Sequence, residues 1–233
     1  CDLWEVFDVE LYLKTLALEI LIGHWDGHAV NKNNFYLYQR PSDGKFVFIQ
    51  YDMDNTFGID WFDVDWANKN IYFWGEDDRP LYQRVMNVPY FRDRFSMYMD
   101  QLLQDSFNPN ALMEQLNATQ SMISEAALAD DYKELDYGFS DLDFLNAIDG
   151  AFGAHVTYSL NDYITTRYAT ASFQVEDYLS LLPPCNLGLE ELLPGSIIIS
   201  VTDLNGKTIN DIDSFRGIYL IVYSNGAVKK YVK

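Results

Sequence analysis

Positive charge is scarce in this chain of 233 residues, which has 16 Lys and Arg against 35 Asp and Glu and a formal net charge of −19. A protein that binds nucleic acid or an anionic membrane through electrostatics needs a basic face. The composition therefore argues against both classes of partner. It is compatible with a secreted or surface protein, and with a site that collects cations.

Cysteine is also rare, with Cys1 and Cys185 as its two occurrences. Neither lies in a CxxC pair or a zinc-finger spacing, which excludes a disulfide framework and leaves one disulfide possible. No apolar run approaches the length of a membrane span. Because the chain starts with Cys rather than Met, we expect it to be cut from a longer protein.

Apolar and aromatic residues are plentiful, at 48% and 16% of the chain, which is enough for a packed core. The stretch 8–23 predicts a helix, with Asp8 as its N-cap, a thick stripe of Leu and Ile, and Gly23 at its end. Two strand-like stretches follow at 34–40 and 45–52. The turn signal "PSDG" between them predicts a β-hairpin.

The rest of the chain separates into a helical part and a short β part. After an irregular acidic stretch, "PYFRDRFSMYMDQLLQD" and "PNALMEQLNATQSMISEAALAD" predict helices, and two more helical patterns lie between about 141 and 180. Beyond "LPPCNLG", alternating β patterns contain the hairpin signals Asn205-Gly206 and Asn225-Gly226. The expected fold class is α+β: a mainly helical domain around a β-hairpin (1–181), a linker (182–194) and a small β-rich tail (195–233).

The loop between the predicted helix and hairpin, "GHWDGHAVNKNNFYLY", is crowded with hydrogen-bonding side chains. His24 and Asp26 are followed by Asn31, which is the H-x-D-x-x-x-x-N spacing of the protein-kinase catalytic loop. In kinases this Asp accepts the proton of the substrate hydroxyl, and the Asn binds a metal ion. By itself the pattern also fits a tight turn held by Asx hydrogen bonds.

The end of the predicted hairpin favours the catalytic interpretation. In kinases the hairpin after the catalytic loop delivers a second metal-binding aspartate, and here "YDMDNTFG" supplies Asp52 and Asp54. Two carboxylates at a strand end are hard oxygen ligands that suit Mg²⁺ or Mn²⁺. We therefore expect Asp26, Asn31 and Asp52 to face one cleft.

These stretches, "IGHWDGHAVNKNNFYLY" with "GKFVFIQYDMDNTFG", resemble the CotH family of atypical protein kinases, and the likeness covers roughly residues 8–170. The resemblance implies a fold like the C-lobe of a protein kinase, with ATP and Mg²⁺ or Mn²⁺ as cofactors. It implies phosphoryl transfer to Ser or Thr of a protein substrate. Carried over by position, Asp26 is the catalytic aspartate, Asn31 and Asp52 bind the metal and the nucleotide, and Asp54 is a further metal ligand.

One part of a complete kinase has no counterpart here. The lobe that covers ATP, with its Gly-rich loop and its lysine on a strand, should precede the catalytic helix. Lys14 lies inside the predicted helix and cannot replace that lysine. We therefore expect this stretch to bind nucleotide poorly even if the parent protein is active. Asn33 and Asn34 are further candidates to order the loop or the metal.

Two other metal sites compete for the same residues. His24, Asp26 and His28 could hold zinc, although their spacing is not a recognised ligand pattern. Asp52 and Asp54 could belong to a structural calcium site, but the glycine and glutamate of the EF-hand register are absent. Such a site would be completed by Asp60, Asp63 or Asp65.

Two further interpretations do not involve catalysis by Asp26. Trp61, Trp66, Tyr72 and Trp74 could line a sugar-binding groove, although core packing is the expected role for most of them. A non-catalytic surface adhesin or binding module on the same kinase-like scaffold is the alternative function.

The tail, from about residue 195 to residue 233, looks like the C-terminal sorting domain that type IX secretion systems recognise in Bacteroidetes. The likeness lies in "DLNGK", in "GIY" at 217–219 and in the terminal "KKYVK". It implies export, attachment at the cell surface, and the secretion machinery as a partner. An ordinary small β unit is the alternative.

Overall fold

Helix α2, Val9–Ile22, is the buried centre of the helical part of the fold, and it begins and ends where the sequence predicts. The Asp8 carboxylate accepts a hydrogen bond from the Leu11 N–H at 3.1 Å, which satisfies a free donor of the first turn. Gly23 adopts φ 76°, and its N–H turns back to carbonyls of the last turn. Because buried residues lie on nearly every face of α2, the helix depends on other elements packed around it.

The structure is a computed structural model, and it describes residues 2–75, 78–135, 138–153, 155–178, 198–203, 206–209, 217–223 and 228–232. Contacts divide the chain into two units, one comprising Asp2–Leu179 and the other containing Ser180–Lys233. Helices α4 and α7 and strand β2 of the first unit pack on α2. The elements of this unit around α2 are α1 (Asp2–Val6), β1 (Phe35–Gln39), β2 (Phe46–Gln50), α3 (Pro80–Met86), α4 (Pro89–Gln104), α5 (Pro109–Leu128), a 3-10 turn (Lys133–Leu135), α6 (Asp141–Asn146) and α7 (Leu160–Gln174).

The predicted hairpin is confirmed. Strands β1 and β2 pair antiparallel, with Phe35 opposite Gln50 at the open end. Gly44 lies in the turn with φ 73°, a conformation that costs glycine little. Phe48 is only 2% exposed and stacks on Phe35 with ring centroids 5.4 Å apart, so the inner face of the hairpin belongs to the core.

The stretch from residue 51 to residue 75 is irregular, as its composition predicts, and the buried Asp60 organises its backbone. The Asp60 carboxylate accepts hydrogen bonds from the Phe62 and Val64 N–H groups, each at 3.1 Å. It also accepts one from the indole of Trp66 at 2.7 Å. These bonds satisfy backbone donors that no strand or helix partner reaches.

Arg167 of α7 connects this irregular stretch to the central helix. Its guanidinium is fully buried and donates to the Lys69 carbonyl at 2.6 Å and to the Ile20 carbonyl at 2.9 Å. The guanidinium also lies 5.1 Å from the Trp74 ring centroid. A single side chain thus fixes three parts of the domain that are far apart in sequence.

The sequence did not predict the short helices α1 and α3, which have 5 and 7 residues. A helix of about two turns or less contains too few residues for a periodic pattern to be recognised. The longer helices α4 and α5 begin at Pro89 and Pro109 as predicted, and α6 and α7 supply the two expected later helices. Among the helices that the structure describes, none combines the length and hydropathy that crossing a bilayer requires.

The second unit contains an antiparallel sheet in the order β3-β4-β5, formed by Ile198–Asp203, Ile218–Tyr223 and Val228–Val232. Its small core consists of buried residues of β3 and β4, namely Val201, Tyr219, Ile221 and Tyr223. The small β unit expected for the tail is therefore present. The predicted linker (182–194), both cysteines, Asn205 and the turn Asn225-Gly226 lie outside the described residues.

Candidate functional site

Asp26 is the hydrogen-bonding centre of the loop between α2 and β1. Its Oδ1 accepts a hydrogen bond from the Asn31 side-chain amide at 2.5 Å. Its Oδ2 accepts one from the Asn34 side-chain amide at 2.9 Å. Two neutral donors therefore fix the orientation of the carboxylate, and because Asp26 is only half-buried, solvent or a hydroxyl group can still reach it.

Asn31 is placed by the backbone of the same loop. Its N–H is shared between the carbonyls of Trp25 at 3.2 Å and Gly27 at 3.1 Å, which closes the chain around Asp26. The side-chain nitrogen of Asn31 is used by Asp26. The amide carbonyl oxygen is then the atom of this exposed residue that can bind a cation.

Asn34 connects the loop to the hairpin and, through it, to Asp52. Its side chain binds Asp26, and its backbone carbonyl accepts a hydrogen bond from the Tyr51 N–H at 3.0 Å. This bond extends the ladder one step beyond the pair of Phe35 and Gln50, so Asp52 follows directly. Asn34 and Asp52 have φ values of 51° and 50°, in the left-handed region that few residues other than glycine adopt.

His24 lies among the candidate carboxylates. It is 2% exposed. Burial lowers the pKa of His24 below its ordinary value, while the charges of Asp26, Asp54 and, more weakly, Asp52 act in the opposite direction. Burial outweighs these charges, so the neutral form of the imidazole is favoured.

Asp52 and Asp54 are both exposed, and they have different neighbours. Asp54 accepts a hydrogen bond from the Asn55 amide at 2.9 Å. It also lies at the rim of an apolar pocket of about 420 Å³, whose lining includes Phe57 and Phe144. Asp52 lies at the hairpin end next to Tyr51. Because the side chains of Asp52 and Asp54 are both exposed, both acids remain available as ligands.

Amide and carboxylate oxygens are the donor types that a hard divalent cation such as Mg²⁺ prefers. In the described part of the chain, no group of three or more His, Cys, Asp or Glu side chains could hold a metal ion. The available donors are the amide oxygen of Asn31 and the carboxylates of Asp52 and Asp54. Mg²⁺ in nucleotide sites typically takes one or two carboxylates and completes its shell with phosphate oxygens and water.

The rival metal sites are not supported by the geometry. The His28 ring packs in the aromatic core, 4.9 Å from the Phe35 ring and 5.7 Å from the Phe48 ring. The Asp60 carboxylate, expected as a possible calcium ligand, is already bonded to protein donors. A zinc site with His28 and a calcium site with Asp60 would both require these contacts to break.

The aromatic residues considered for a sugar groove are mostly core residues. Trp66, Tyr72 and Trp74 are 2%, 5% and 1% exposed, which agrees with the packing role expected for most of the set. Trp61 is 43% exposed, and its ring stacks on His155 with centroids 3.7 Å apart.

Sequence reasoning missed Arg79 as a residue that holds the loop. Its guanidinium donates to the carbonyl of Val30, next to Asn31, and to the Asp78 carbonyl at 3.1 Å. Arg79 is 5% exposed although it is charged. Because 49 positions separate Arg79 from Val30, no local pattern in the sequence could have indicated this contact.

Together these features define an α+β domain with an acid–amide site between a buried helix and a β-hairpin. Its family follows from comparison with known sequences. The chain belongs to the CotH kinase protein family, whose sequence model matches residues 2–171.

Proteins similar to this chain include two invasins and a spore coat protein. The chain is 27% identical over 128 residues to the invasin CotH2 of Rhizopus delemar, covering 52% of this chain and 21% of that protein. It is 27% identical over 129 residues to the inner spore coat protein H of Bacillus subtilis, covering 55% of this chain and 34% of that protein. A shorter match, 32% over 56 residues, covers 24% of this chain and 9% of the invasin CotH3 of Rhizopus delemar. The chain thus spans about a third or less of each relative.

Proposed function

We propose that this protein transfers a phosphoryl group from ATP to a Ser or Thr hydroxyl of a secreted or surface protein. In this proposal the helical domain corresponds to the C-lobe of a protein kinase. Asp26 acts on the acceptor hydroxyl, and Asn31 and Asp52, with Asp54, hold Mg²⁺ or Mn²⁺. Membership of the CotH kinase family supports the reaction class.

Asp26 has the properties that a residue acting on a hydroxyl group requires. The amides of Asn31 and Asn34 fix its carboxylate, so little reorientation is needed when an acceptor binds. The carboxylate accepts the hydroxyl proton as the acceptor oxygen bonds to the phosphorus, and the bond from that phosphorus to the leaving phosphate oxygen breaks. ADP and the phosphorylated acceptor are the products.

Asn31 and Asp52 would supply oxygen ligands on the side of the site where the hairpin ends. When bound there, a divalent cation neutralises the charge on the phosphate groups. The left-handed backbone of Asp52 directs the chain away from the strand immediately after Tyr51. Backbone strain of this kind concentrates at sites where it positions a functional group.

The observation that carries the proposal is the pair of amides on Asp26, linked through Asn34 to the end of the hairpin. A tight turn held by an Asx hydrogen bond, the bland alternative, requires a bond to the local backbone. Here two side chains, five and eight residues away, orient one carboxylate. A requirement for a carboxylate of fixed orientation explains these two hydrogen bonds better than a tight turn alone does.

A non-catalytic surface adhesin on the same scaffold is the second candidate. Two relatives are named invasins. The hairpin exposes several large side chains, with Tyr36 at 56%, Leu37 at 52%, Tyr38 at 52% and Tyr51 at 54%. Exposed apolar side chains commonly mark interaction surfaces, and binding through these residues would not need the carboxylate of Asp26.

The proposed location is the cell surface or the extracellular space. The relatives named as a spore coat protein and as invasins support it. For the tail, the proposal is a sorting segment recognised by a type IX secretion system, carried by the likeness of its short motifs and compatible with its small antiparallel sheet.

The test is incorporation of labelled phosphate from ATP with Mn²⁺ by the full-length parent protein, both into that protein itself and into dephosphorylated casein. We expect Asp26→Asn and Asp52→Asn each to reduce incorporation by about 10² to 10⁴-fold. Asp63→Asn is the matched control, because Asp63 is also exposed and has φ 59°, close to that of Asp52. Asn tolerates this backbone region, so neither Asp52→Asn nor Asp63→Asn should unfold the protein.

Measurement of Mn²⁺ binding by electron paramagnetic resonance shows whether a variant loses activity because it binds the metal more weakly or for another reason. Asp52→Asn should weaken Mn²⁺ binding, whereas Asp63→Asn should not. Equal phosphate incorporation by the wild type and all three variants would refute the kinase proposal and favour the adhesin.

A further inference from the structure

The apolar pocket of about 420 Å³ adjoins the candidate site at Asp54. Its lining includes six apolar side chains that are only half-buried, so part of their surface faces the cavity: Phe57, Ile59, Phe144, Phe152, Val156 and Leu160. Ligand pockets in proteins commonly have this size and an apolar lining. An apolar group that entered the pocket would be stabilised because it leaves water.

One wall of the pocket is bonded to the chain on either side of the start of the functional loop. The Phe57 N–H donates to the carbonyl of Ile22, the last residue of α2, at 2.7 Å. The indole of Trp25, which directly precedes Asp26, donates to the Ile59 carbonyl at 2.7 Å. The pocket and the carboxylate of Asp26 therefore share a fixed boundary.

Backbone hydrogen bonds hold the opposite wall against the first. Ile59 pairs with Val156 in an antiparallel bridge, and the Asp60 N–H donates to the His155 carbonyl at 2.8 Å. The Phe152 N–H donates to the Val156 carbonyl at 3.1 Å. The two walls thus keep a defined separation, as a site that accepts a side chain of a particular size requires.

Two charged side chains of the lining already have partners within the protein. The Lys133 ammonium group donates to the Ala127 carbonyl at 2.6 Å and to the Asp141 carboxylate. The Asp143 carboxylate accepts hydrogen bonds from the N–H of Ser140 at 2.7 Å and from its hydroxyl at 2.8 Å. A charged ligand would compete with these contacts, whereas an apolar one would leave them intact.

We propose that this pocket binds an apolar side chain of the acceptor protein, aromatic or long aliphatic, while the acceptor hydroxyl lies at Asp26. The description of the ligand as an acceptor rests on the proposed kinase function. Since Trp25 joins the loop to the pocket wall at Ile59, a segment whose hydroxyl lies at Asp26 can place a neighbouring side chain in the pocket. The pocket would then select acceptors by the apolar residue near their Ser or Thr.

The experiment is a peptide titration of the full-length parent protein, followed by NMR of labelled Ile methyl groups in the absence of ATP. The probes are nonapeptides with a central Ser in a background of Ala and Gln. Phe occupies in turn each of the two positions on either side of the Ser, and the peptide without Phe is the reference.

We expect at least one Phe peptide to bind about tenfold more tightly than the reference peptide and to shift the methyl signal of Ile59. Leu at the same position should give an intermediate affinity, and Lys should give no gain. Ile49 serves as an internal reference, because it is 42% exposed on β2 and does not line the pocket.

A substitution that fills the pocket tests where the Phe side chain binds. Ala147 lines the pocket, so Ala147→Leu should reduce its volume and leave the Phe and reference peptides with affinities within about twofold of each other. Ala118→Leu is the matched control, because Ala118 is exposed on α5 and outside the lining, and it should keep the preference for Phe. The peptide series needs only the wild type, so it tests the pocket even if Ala147→Leu lowers stability.

Three results would overturn the pocket assignment. The first is equal binding of all the Phe peptides and the reference peptide by the wild type. The second is the same preference for Phe in Ala147→Leu as in Ala118→Leu. The third is a shift of the Ile59 signal by ATP with Mn²⁺ alone, together with displacement of the Phe peptide, which would assign the pocket to the adenine ring.

The kinase function and the pocket can fail separately. If Phe-selective binding is present while phosphoryl transfer is undetectable, the pocket stands as a binding site for an apolar side chain and the kinase function fails. If transfer occurs with the same KM for the Phe and reference peptides, the kinase function stands and the pocket is not part of its acceptor site.

Discussion

At the scale of single residues, three carboxylates show how their partners decide their role. Asp60 is buried and accepts bonds from backbone and indole donors, so its role is structural. Asp26 is half-buried and held by two amides, which leaves it accessible for chemistry. Glu19 of α2 is 3% exposed, and its Oε1 has no hydrogen-bond partner. Of the three, Glu19 is the one whose burial should cost stability.

The buried carboxyl group of Glu19 should make the stability of the domain depend on pH. Burial raises the pKa of Glu19 from 4.5 to about 8. The folded state then binds the proton more tightly than the unfolded chain, so this contribution to stability is present in full below pH 4.5 and is lost as pH rises to about 8. The slope is at most about 1.4 kcal/mol per pH unit. Glu19→Gln should remove this slope, measured by urea unfolding from pH 5 to pH 8.

Glu5→Gln is the control for this prediction, because Glu5 is exposed on the short helix α1. It should change the free energy of unfolding by less than about 0.5 kcal/mol at every pH. If the wild type and Glu19→Gln show the same pH dependence, the Glu19 carboxyl is not the source of the slope.

At the scale of elements, the end of helix α2 determines where the functional loop starts. Gly23 has φ 76°, and a Cβ built on it would lie 2.3 Å from the hydroxyl oxygen of Tyr163. Tyr163 of α7 is fully buried and donates to the Leu21 carbonyl at 3.2 Å. The glycine therefore satisfies a helix-end conformation and a close interhelical approach at the same position.

Gly23→Ala should destabilise the domain by roughly 3 kcal/mol, because the left-handed backbone disfavours Ala and the methyl group collides with Tyr163. Gly44→Ala is a matched control with nearly the same φ, 73°, and open space around its Cβ position. It should cost only about 1 kcal/mol, which is the backbone term alone. Thermal unfolding of both variants measures the difference, and equal losses would show that the contact with Tyr163 carries no energy.

At the scale of the whole domain, the buried side chain of Arg167 on α7 holds two other segments together. Its two carbonyl acceptors belong to α2 and to the irregular stretch before α3. The same stretch supplies Trp66 and Trp74, which line a cleft of about 490 Å³ together with Asn31. Net charge, at −19, favours solubility but contributes nothing to this arrangement.

Arg167→Met should lower the free energy of unfolding by about 3 kcal/mol, because two buried carbonyl groups lose their donor. Arg84→Met, at an exposed position of α3, should change it by less than about 0.5 kcal/mol. Urea unfolding at pH 7 compares the two variants. A loss for Arg167→Met no larger than that for Arg84→Met would mean that water replaces the guanidinium without cost.

The sequence was sufficient for features that depend on neighbours along the chain. The N-cap Asp8, the stop at Gly23, the hairpin with its turn, and the helices beginning at Pro89 and Pro109 follow from local backbone preferences and apolar periodicity. The spacing of Asp26 and Asn31 was equally readable, since a loop that closes on itself brings residues five apart together. The short helices α1 and α3 were missed because packing, rather than propensity, holds them.

What the amino-acid sequence determined by itself was the α+β class, the order of the main elements, and the chemical types gathered in the loop and at the end of the hairpin. Only the tertiary structure decided that Asn34 is the second donor to Asp26, that Arg79 fixes the loop, and that Lys32 and Lys69 line a common cleft. The reason is physical: local conformation is set by interactions within a few residues, whereas these contacts depend on how the loop closes on the hairpin and on how the stretch before α3 packs against that loop.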